Sequence, residues 1–237
     1  GEARINSEIL YENLIQKFMY RNLDNLDVYY DFTEQRTLRI VSLRDKFTAL
    51  ANRLVAEGDI TKAQEVLKKG FKILPLERMN IDYFSKNVFD VLYKAGDLAY
   101  ADSITKRAAL NTIDELNYVT TKDPIISNGY LREEQMAYLV MQEIMTVLNK
   151  NNRQSLKNEI SQRLYEKLNK KTPIVSEIEK LSDEDKTIIR MYVTLDQNQL
   201  NQWYRGLSFE KRKILEKIAN LDEFETKVLN MYALWCI

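Results

Sequence analysis

Apolar residues recur along this chain at intervals of three and four, the spacing that gathers them on one face of a helix. Ile5, Ile9, Leu10, Leu14 and Phe18 form the first such stripe, so a helix is expected over 5–19. A polar, aromatic connector follows from Tyr20 to Asp31. Its Asn and Asp side chains compete for backbone hydrogen bonds and favour turns. Helix is expected to resume near Thr33.

The clearest pattern spans 44–75. Phe47, Leu50, Ala51 and Leu54 line one helix, and Glu57-Gly58-Asp59 breaks it. Gly58 can end the first helix and Asp59 can cap the second. The second helix carries Ala63, Leu67 and Gly70 and is stopped by Pro75. Small residues at 63 and 70 let the two helices approach closely. The break then recurs, with Gly96-Asp97 following Gly58-Asp59 by 38 residues. Val88, Phe89 and Leu92 precede it, and Ala101 and Ala108 follow it, in the places of the first unit's apolar and small residues. A helix–turn–helix repeated at about 34 residues is the tetratricopeptide signature. The longer offset implies extra residues around Leu76 to Ile81.

Past Asp123-Pro124 the repeat fades. One helix is expected over 130–149, on Leu131, Tyr138, Met141, Met145 and Leu148, and another on Leu156, Ile160, Leu164 and Leu168. Thr172-Pro173 is an N-cap and first-turn pair, and Ser182 to Asp185 and Asp222 to Glu225 are capping boxes. The expected fold is all-α. Residues 1–122 hold an N-terminal helix and two tetratricopeptide-like hairpins, and 123–237 a helical bundle, with a soft boundary at 122–129.

Composition narrows the chemistry. Six glycines and three prolines in 237 residues leave long uninterrupted segments, which favours helices. Thirty-five basic and 35 acidic residues cancel, which argues against a general nucleic-acid binder. There is no histidine, so the commonest general acid–base group and zinc ligand is missing. The single cysteine, Cys236, cannot form an internal disulfide. No run approaches the roughly 18 apolar residues of a membrane span. Gly1 stands where an initiating Met would, so a piece of a longer protein is expected, with an upstream membrane region out of view.

Lys17-Phe18-Met19-Tyr20-Arg21-Asn22-Leu23-Asp24-Asn25, then Asp27-Val28-Tyr29-Tyr30-Asp31, leads into Leu43-Arg44 and the Ala-Glu-Gly-Asp hairpin. This stretch, within roughly 10–110, resembles the C-terminal soluble region of a family of bacterial multi-pass membrane proteins. The membrane half of that family is similar to protein O-mannosyltransferases. The resemblance implies an extracytoplasmic, periplasmic-side fragment attached to a glycosyltransferase-like protein. It also implies that the catalytic acids lie in the membrane half, so no catalytic residue is carried over to this chain. The first repeat unit departs from the tetratricopeptide pattern, with Phe47 and Leu54 in place of its usual Trp and Tyr.

Several residue groups invite a site reading. Asp24, Asp27 and Asp31 lack the alternate spacing and glycine of a calcium loop, so no metal site is expected. Glu133-Glu134 and Asp183-Glu184-Asp185 sit at expected helix starts, where capping accounts for them better than acid–base work. No cofactor motif is present. Residues 150–171 are locally basic and could make weak contact with an anionic membrane surface. A solvated face opposite Leu156, Ile160, Leu164 and Leu168 accounts for the same charges. Trp203, Tyr204, Trp235 and the methionines at 136, 141 and 145 are read as core, and Cys236 as inert. The functional candidate is the face of the first helix of each hairpin, which in tetratricopeptide proteins meets a protein or peptide partner. On it lie Asp45, Thr48, Asn52 and Val55, then Tyr83, Lys86, Asp90 and Tyr93. Asn52, Tyr83, Lys86, Asp90 and Tyr93 are the expected partner-binding residues; internal packing against a neighbouring helix is the competing use of the same face.

Overall fold

A computed structural model describes residues 5–28, 40–120, 130–169, 178 and 180–221, with isolated positions 226, 229 and 233. Every regular element among them is helical. The elements are α1 (Ser7–Tyr11), which continues as a π-helical segment (Glu12–Lys17), α2 (Ile40–Ala56), α3 (Ile60–Ile73), α4 (Val88–Lys94) and α5 (Leu98–Thr120). They are followed by α6 (Leu131–Lys150), α7 (Gln154–Asn169), α8 (Asp183–Thr194), α9 (Gln197–Arg205) and α10 (Phe209–Ala219). The expected helix start near Thr33, Thr172-Pro173, Asp222 to Glu225, Trp235 and Cys236 lie outside the described residues.

The turn between α2 and α3 forms as its residues require. Gly58 takes φ +82°, a left-handed conformation that costs a side-chain-bearing residue about 1 kcal/mol or more. Its amide donates to the Val55 carbonyl (3.1 Å) and the Asp59 amide to that of Leu54 (2.9 Å), which closes α2 in a Schellman motif. The Asp59 carboxylate accepts the Lys62 amide (3.1 Å) and starts α3. Gly96 (φ +80°), whose amide donates to the Tyr93 carbonyl (3.0 Å), and Asp97, which accepts the Tyr100 amide, repeat the glycine turn and the cap between α4 and α5. A third turn of this kind joins α6 to α7. Asn152 (φ 57°) holds the left-handed position, and the Arg153 amide donates to Leu148 (2.9 Å).

Cross-links show how the hairpins align. Lys86 meets Glu143 and Asp90 meets Lys150, so α4 and α6 run parallel. Lys106 meets Glu159 and Asp114 meets Lys167, so α5 and α7 run parallel. Along α3, Tyr11 donates to Glu65 (2.5 Å) and Lys69 to the Ile15 carbonyl (2.6 Å), so α1 and its extension run parallel to α3. First helices therefore point one way and second helices the other.

One apolar core threads these hairpins, from Leu14 through Phe47, Leu67, Phe89 and Leu116 to Met141, Leu148 and Leu164. Gly70 is buried within it. A Cβ there would stand 3.0 Å from Cγ of Phe47, so the close approach of α2 and α3 depends on the missing side chain. Arg44 is also buried, and its guanidinium donates to the carbonyls of Leu74, Met79 and Asn80. It thereby caps α3 and fixes the loop to the second hairpin. Arg78 does the same for the connector, donating to the carbonyls of Asn25, Leu26 and Val28.

A second, smaller core joins Ile178, Ile188, Ile189, Leu215, Ile218, Leu229 and Ala233, with Trp203 and Tyr204 half-buried against it. Ser182 caps α8 by accepting the Asp185 amide (3.2 Å). The expected boundary at 122–129 lies outside the described residues; helices on both of its sides, α5 and α6, share the first core.

Candidate functional site

The expected partner-facing surface divides into a closed part and an open part. Tyr83 and Lys86 were expected on the first helix of the second hairpin, but they precede it. They lie in turns, and α4 begins only at Val88. The Asp82 carboxylate accepts both the amide (2.9 Å) and the hydroxyl (2.7 Å) of Ser85, the capping geometry of Asp59 and Asp97, but residues 83–87 form turns before the helix begins.

Lys86, Asp90 and Tyr93 face the third hairpin. Lys86 forms an ion pair with Glu143 of α6 at 2.9 Å, and both side chains are three-quarters buried. Asp90 pairs with Lys150 of α6 and with Lys94, each at 2.6 Å. Burial pushes the Asp90 carboxyl up, but Lys150 and Lys94 outweigh it and hold the group below the ordinary aspartate range. Tyr93 is 4% exposed, and its hydroxyl donates to Asp102 (2.8 Å). Burial first, then that bond, raises its pKa. Arg153, just after the Asn152 turn, grips both oxygens of Asp102. These three predicted residues thus meet side chains of their own chain.

Magnitudes decide whether that closure could be a gate. Val140, Met141, Ile144, Met145, Val147 and Leu148 of α6 are all buried in the common core. Each contributes about 1.5–3 kcal/mol. Partly exposed ion pairs contribute about 0–1 kcal/mol each. Apolar burial therefore holds α6 in place, and the ion pairs set its register. The face of α4 is a fixed interior contact.

The first hairpin is more open. Asn52 is exposed, and Asp45 and Val55 are half-buried. Thr48 is buried and donates to the Arg44 carbonyl (3.0 Å). Asp45 is raised, chiefly by burial and then by Asp82. Near the start of α4, Tyr83 is half-buried and stacks edge-on against Phe84, which is 62% exposed. Asn52 on α2 and, separately, Phe84 beside half-buried Tyr83 are thus the exposed positions in this part of the chain. Phe84 was missed in the sequence, where an isolated aromatic in a turn carries no periodicity.

Two grooves flank the N-terminal segment. One, of about 370 Å³, lies between α1 and α2 and is almost wholly apolar. The other, of about 640 Å³, lies between the connector at Tyr20 and Asp24 and the Lys68, Lys69 and Lys72 side of α3. Two of its cations are already engaged, Lys68 by Asp97 (2.7 Å) and Lys69 by the Ile15 carbonyl.

The remaining sequence candidates are placed simply. Asp24 and Asp27 are exposed, Asp31 lies outside the described residues, and no group of acids that could hold a metal occurs among those described. Glu133 and Glu134 occupy the first turn of α6, whose N-cap makes no side-chain hydrogen bond and in which Glu134 is buried, whereas Asp183, Glu184 and Asp185 occupy that of α8, capped by Ser182. In the basic stretch, Lys150, Arg153 and Lys167 pair with Asp90, Asp102 and Asp114. Among the described residues no helix is long and apolar enough to cross a membrane. No protein-family model matches the chain, and neither the curated proteins nor the solved structures supply a match, so the resemblance of residues 10–110 stands on its motifs alone.

Proposed function

We propose that this chain is a tetratricopeptide-like region that holds or positions a protein or peptide partner and performs no chemistry itself. The observation that carries the reading is the array: hairpins in register, first helices parallel to one another and second helices parallel to one another, joined by turns of one design. Stacked hairpins bury a continuous core and present an extended side-chain surface, which is the physical basis of recognition by such repeats. The open part of that surface, Asn52 with Tyr83 and Phe84, mixes amide and aromatic groups in the manner of protein contacts. Asp183, Glu184 and Asp185 lie in the first turn of a helix capped by Ser182, and Asp102 is held by Arg153, which supports the non-catalytic reading of those groups.

The resemblance of residues 10–110 extends the proposal. The chain is then a scaffolding region of a membrane glycosyltransferase-like protein, facing the extracytoplasmic side and orienting its substrate or recruiting a partner. A photo-crosslinking side chain placed at 52 or at 84 in the producing cells tests the interaction. A discrete adduct at either position, absent when the label replaces buried Phe89, is the expected result. No adduct at either would overturn it. Antibody detection in separated cell fractions tests the context. A band far above 28.0 kDa in membranes, open to protease from outside, is expected. A soluble band near 28.0 kDa would leave a free-standing adaptor instead.

A further inference from the structure

The N-terminal segment lies on the first hairpin more loosely than the hairpins lie on one another. Of residues 5–28 only Leu14 is buried, whereas α3 alone buries Ala63, Val66, Leu67, Gly70, Phe71 and Ile73. Ile9, Phe18, Met19 and Leu26 are each more than half exposed. A groove runs along either edge of the segment. The apolar one, of about 370 Å³, lies between α1 and α2, and the other, of about 640 Å³, between Tyr20 and Asp24 and the lysines of α3. Close-packed interiors leave no such room. The segment meets the hairpin between the grooves, through Leu14 and through Tyr20, whose ring lies 5.9 Å from that of Phe47.

Its backbone is no firmer. α1 has five residues and continues as six in π form, and helices this short are marginal in water without tertiary support. That support comes from polar side chains that grip the segment from the first hairpin and the loop after it. Glu65 accepts the Tyr11 hydroxyl, and Lys69 donates to the Ile15 carbonyl. Arg78 donates to the carbonyls of Asn25, Leu26 and Val28. Ordering entropy scales with residues fixed and stabilisation with apolar area buried, so a segment of this length on one buried side chain opens more readily than the hairpin beneath it.

We propose that residues 5–28 are a strap that opens and closes as one unit over the folded array, with Lys69 and Arg78 as its latches. Closed, it fills the seat of Leu14 beside Phe47 and Lys69. Open, it bares that seat while the hairpins stay folded. The strap is an intramolecular cover that controls access to the first hairpin. This device goes beyond the interaction reading and does not depend on it.

Residue-resolved amide hydrogen exchange of the 237-residue protein tests the strap. Leu10, Phe18 and Leu23 report on it, since their amides donate to the carbonyls of Asn6, Asn13 and Tyr20. Amides of α3 and α5 report on the array. The strap amides should share one protection factor, at least about a hundredfold below those of α3. Arg78→Gln should speed Leu10 and Phe18 as well as Leu23 by about tenfold or more, although Arg78 grips the opposite end of the strap, and should leave α3 and α5 unchanged. Acceleration confined to 23–28 would reduce the effect to local fraying and overturn the proposal. So would equal acceleration of α3, or strap amides that already exchange at the rate of α3. A second variant tests the seat. Leu14→Ala weakens the strap and leaves its seat intact. A labelled synthetic peptide of residues 5–28 should then bind that protein at least about tenfold more tightly than the parent, whose own strap competes for the seat. Equal binding to both, or binding to neither at millimolar peptide, would overturn the proposal.

Discussion

A guanidinium set among backbone carbonyls has few substitutes. Arg44 is 4% exposed and donates to Leu74, Met79 and Asn80, so it satisfies the end of α3 and the loop beyond it at once. Burial pulls its pKa down to about 10, which still leaves the cation dominant at neutral pH. Arg44→Met keeps much of the volume but strands those carbonyls, and an expected loss of about 3 kcal/mol follows from leaving buried acceptors unpaired. Arg44→Lys, which reaches fewer carbonyls, should fall between; urea unfolding of the three proteins checks the order. Tyrosines report a second residue-scale effect. Burial pushes Tyr20 and Tyr100 up to about 12 from an ordinary 10.0. Between those values the unfolded chain releases protons that the folded protein retains. Deprotonation then favours unfolding, so the stability these groups contribute is intact below pH 10 and lost as pH rises toward 12. The urea midpoint should decline over that window, and Tyr20→Phe with Tyr100→Phe should flatten the decline. A midpoint that stays level in the parent protein would refute the assignment.

Elements were legible where one residue type has one use. Gly58 and Gly96 announce left-handed helix ends, and Asp59 and Asp97 the caps that follow, so the first two hairpins could be read directly. The third hairpin was read as two unrelated helices because Asn152 does the work of the glycine. Asn tolerates the left-handed region but also suits many other turns, so it carries less information. The Asp82 cap is followed by turns, and α4 begins only at Val88, so Tyr83 and Lys86 precede it; a capping Asp does not by itself mark how soon regular helix follows. The uses of Lys86, Asp90 and Tyr93 were not legible. Glu143, Lys150 and Arg153, which meet them directly or through Asp102, are remote in sequence, and no periodicity links positions so far apart. The turn makes its own prediction. Asn152→Gly should leave stability level or raise it by up to about 1 kcal/mol, and Asn152→Val should cost about 1–2 kcal/mol. Thermal melts of both decide it, and a valine variant as stable as the parent would show that the turn is not held left-handed.

At the scale of the whole molecule, the described residues form two apolar cores of unequal size. The first runs from Leu14 to Leu164 and includes large side chains under 2% exposed on nearly every helix, among them Phe47, Phe89, Ile113 and Met141. The second gathers Ile178, Ile188, Ile189, Leu215, Ile218, Leu229 and Ala233, with half-buried Tyr165 of α7 packed against it. Hydrophobic stabilisation scales with apolar area removed from water, while ordering entropy scales with residues fixed. A short segment with few fully buried side chains cannot offset its own ordering, so the second core should depend on the first. A chain ending at Asn169 is accordingly expected to unfold cooperatively within a few degrees of the full protein. Residues 170–237 alone should show weak helical ellipticity and no cooperative melt. In the intact protein, amides of α8 and α10 should exchange with solvent well before those of α3 and α5, because smaller cores open at lower free energy. Exchange at equal rates in both cores would mean that they unfold as one unit, and the truncated chain would then lose its transition as well.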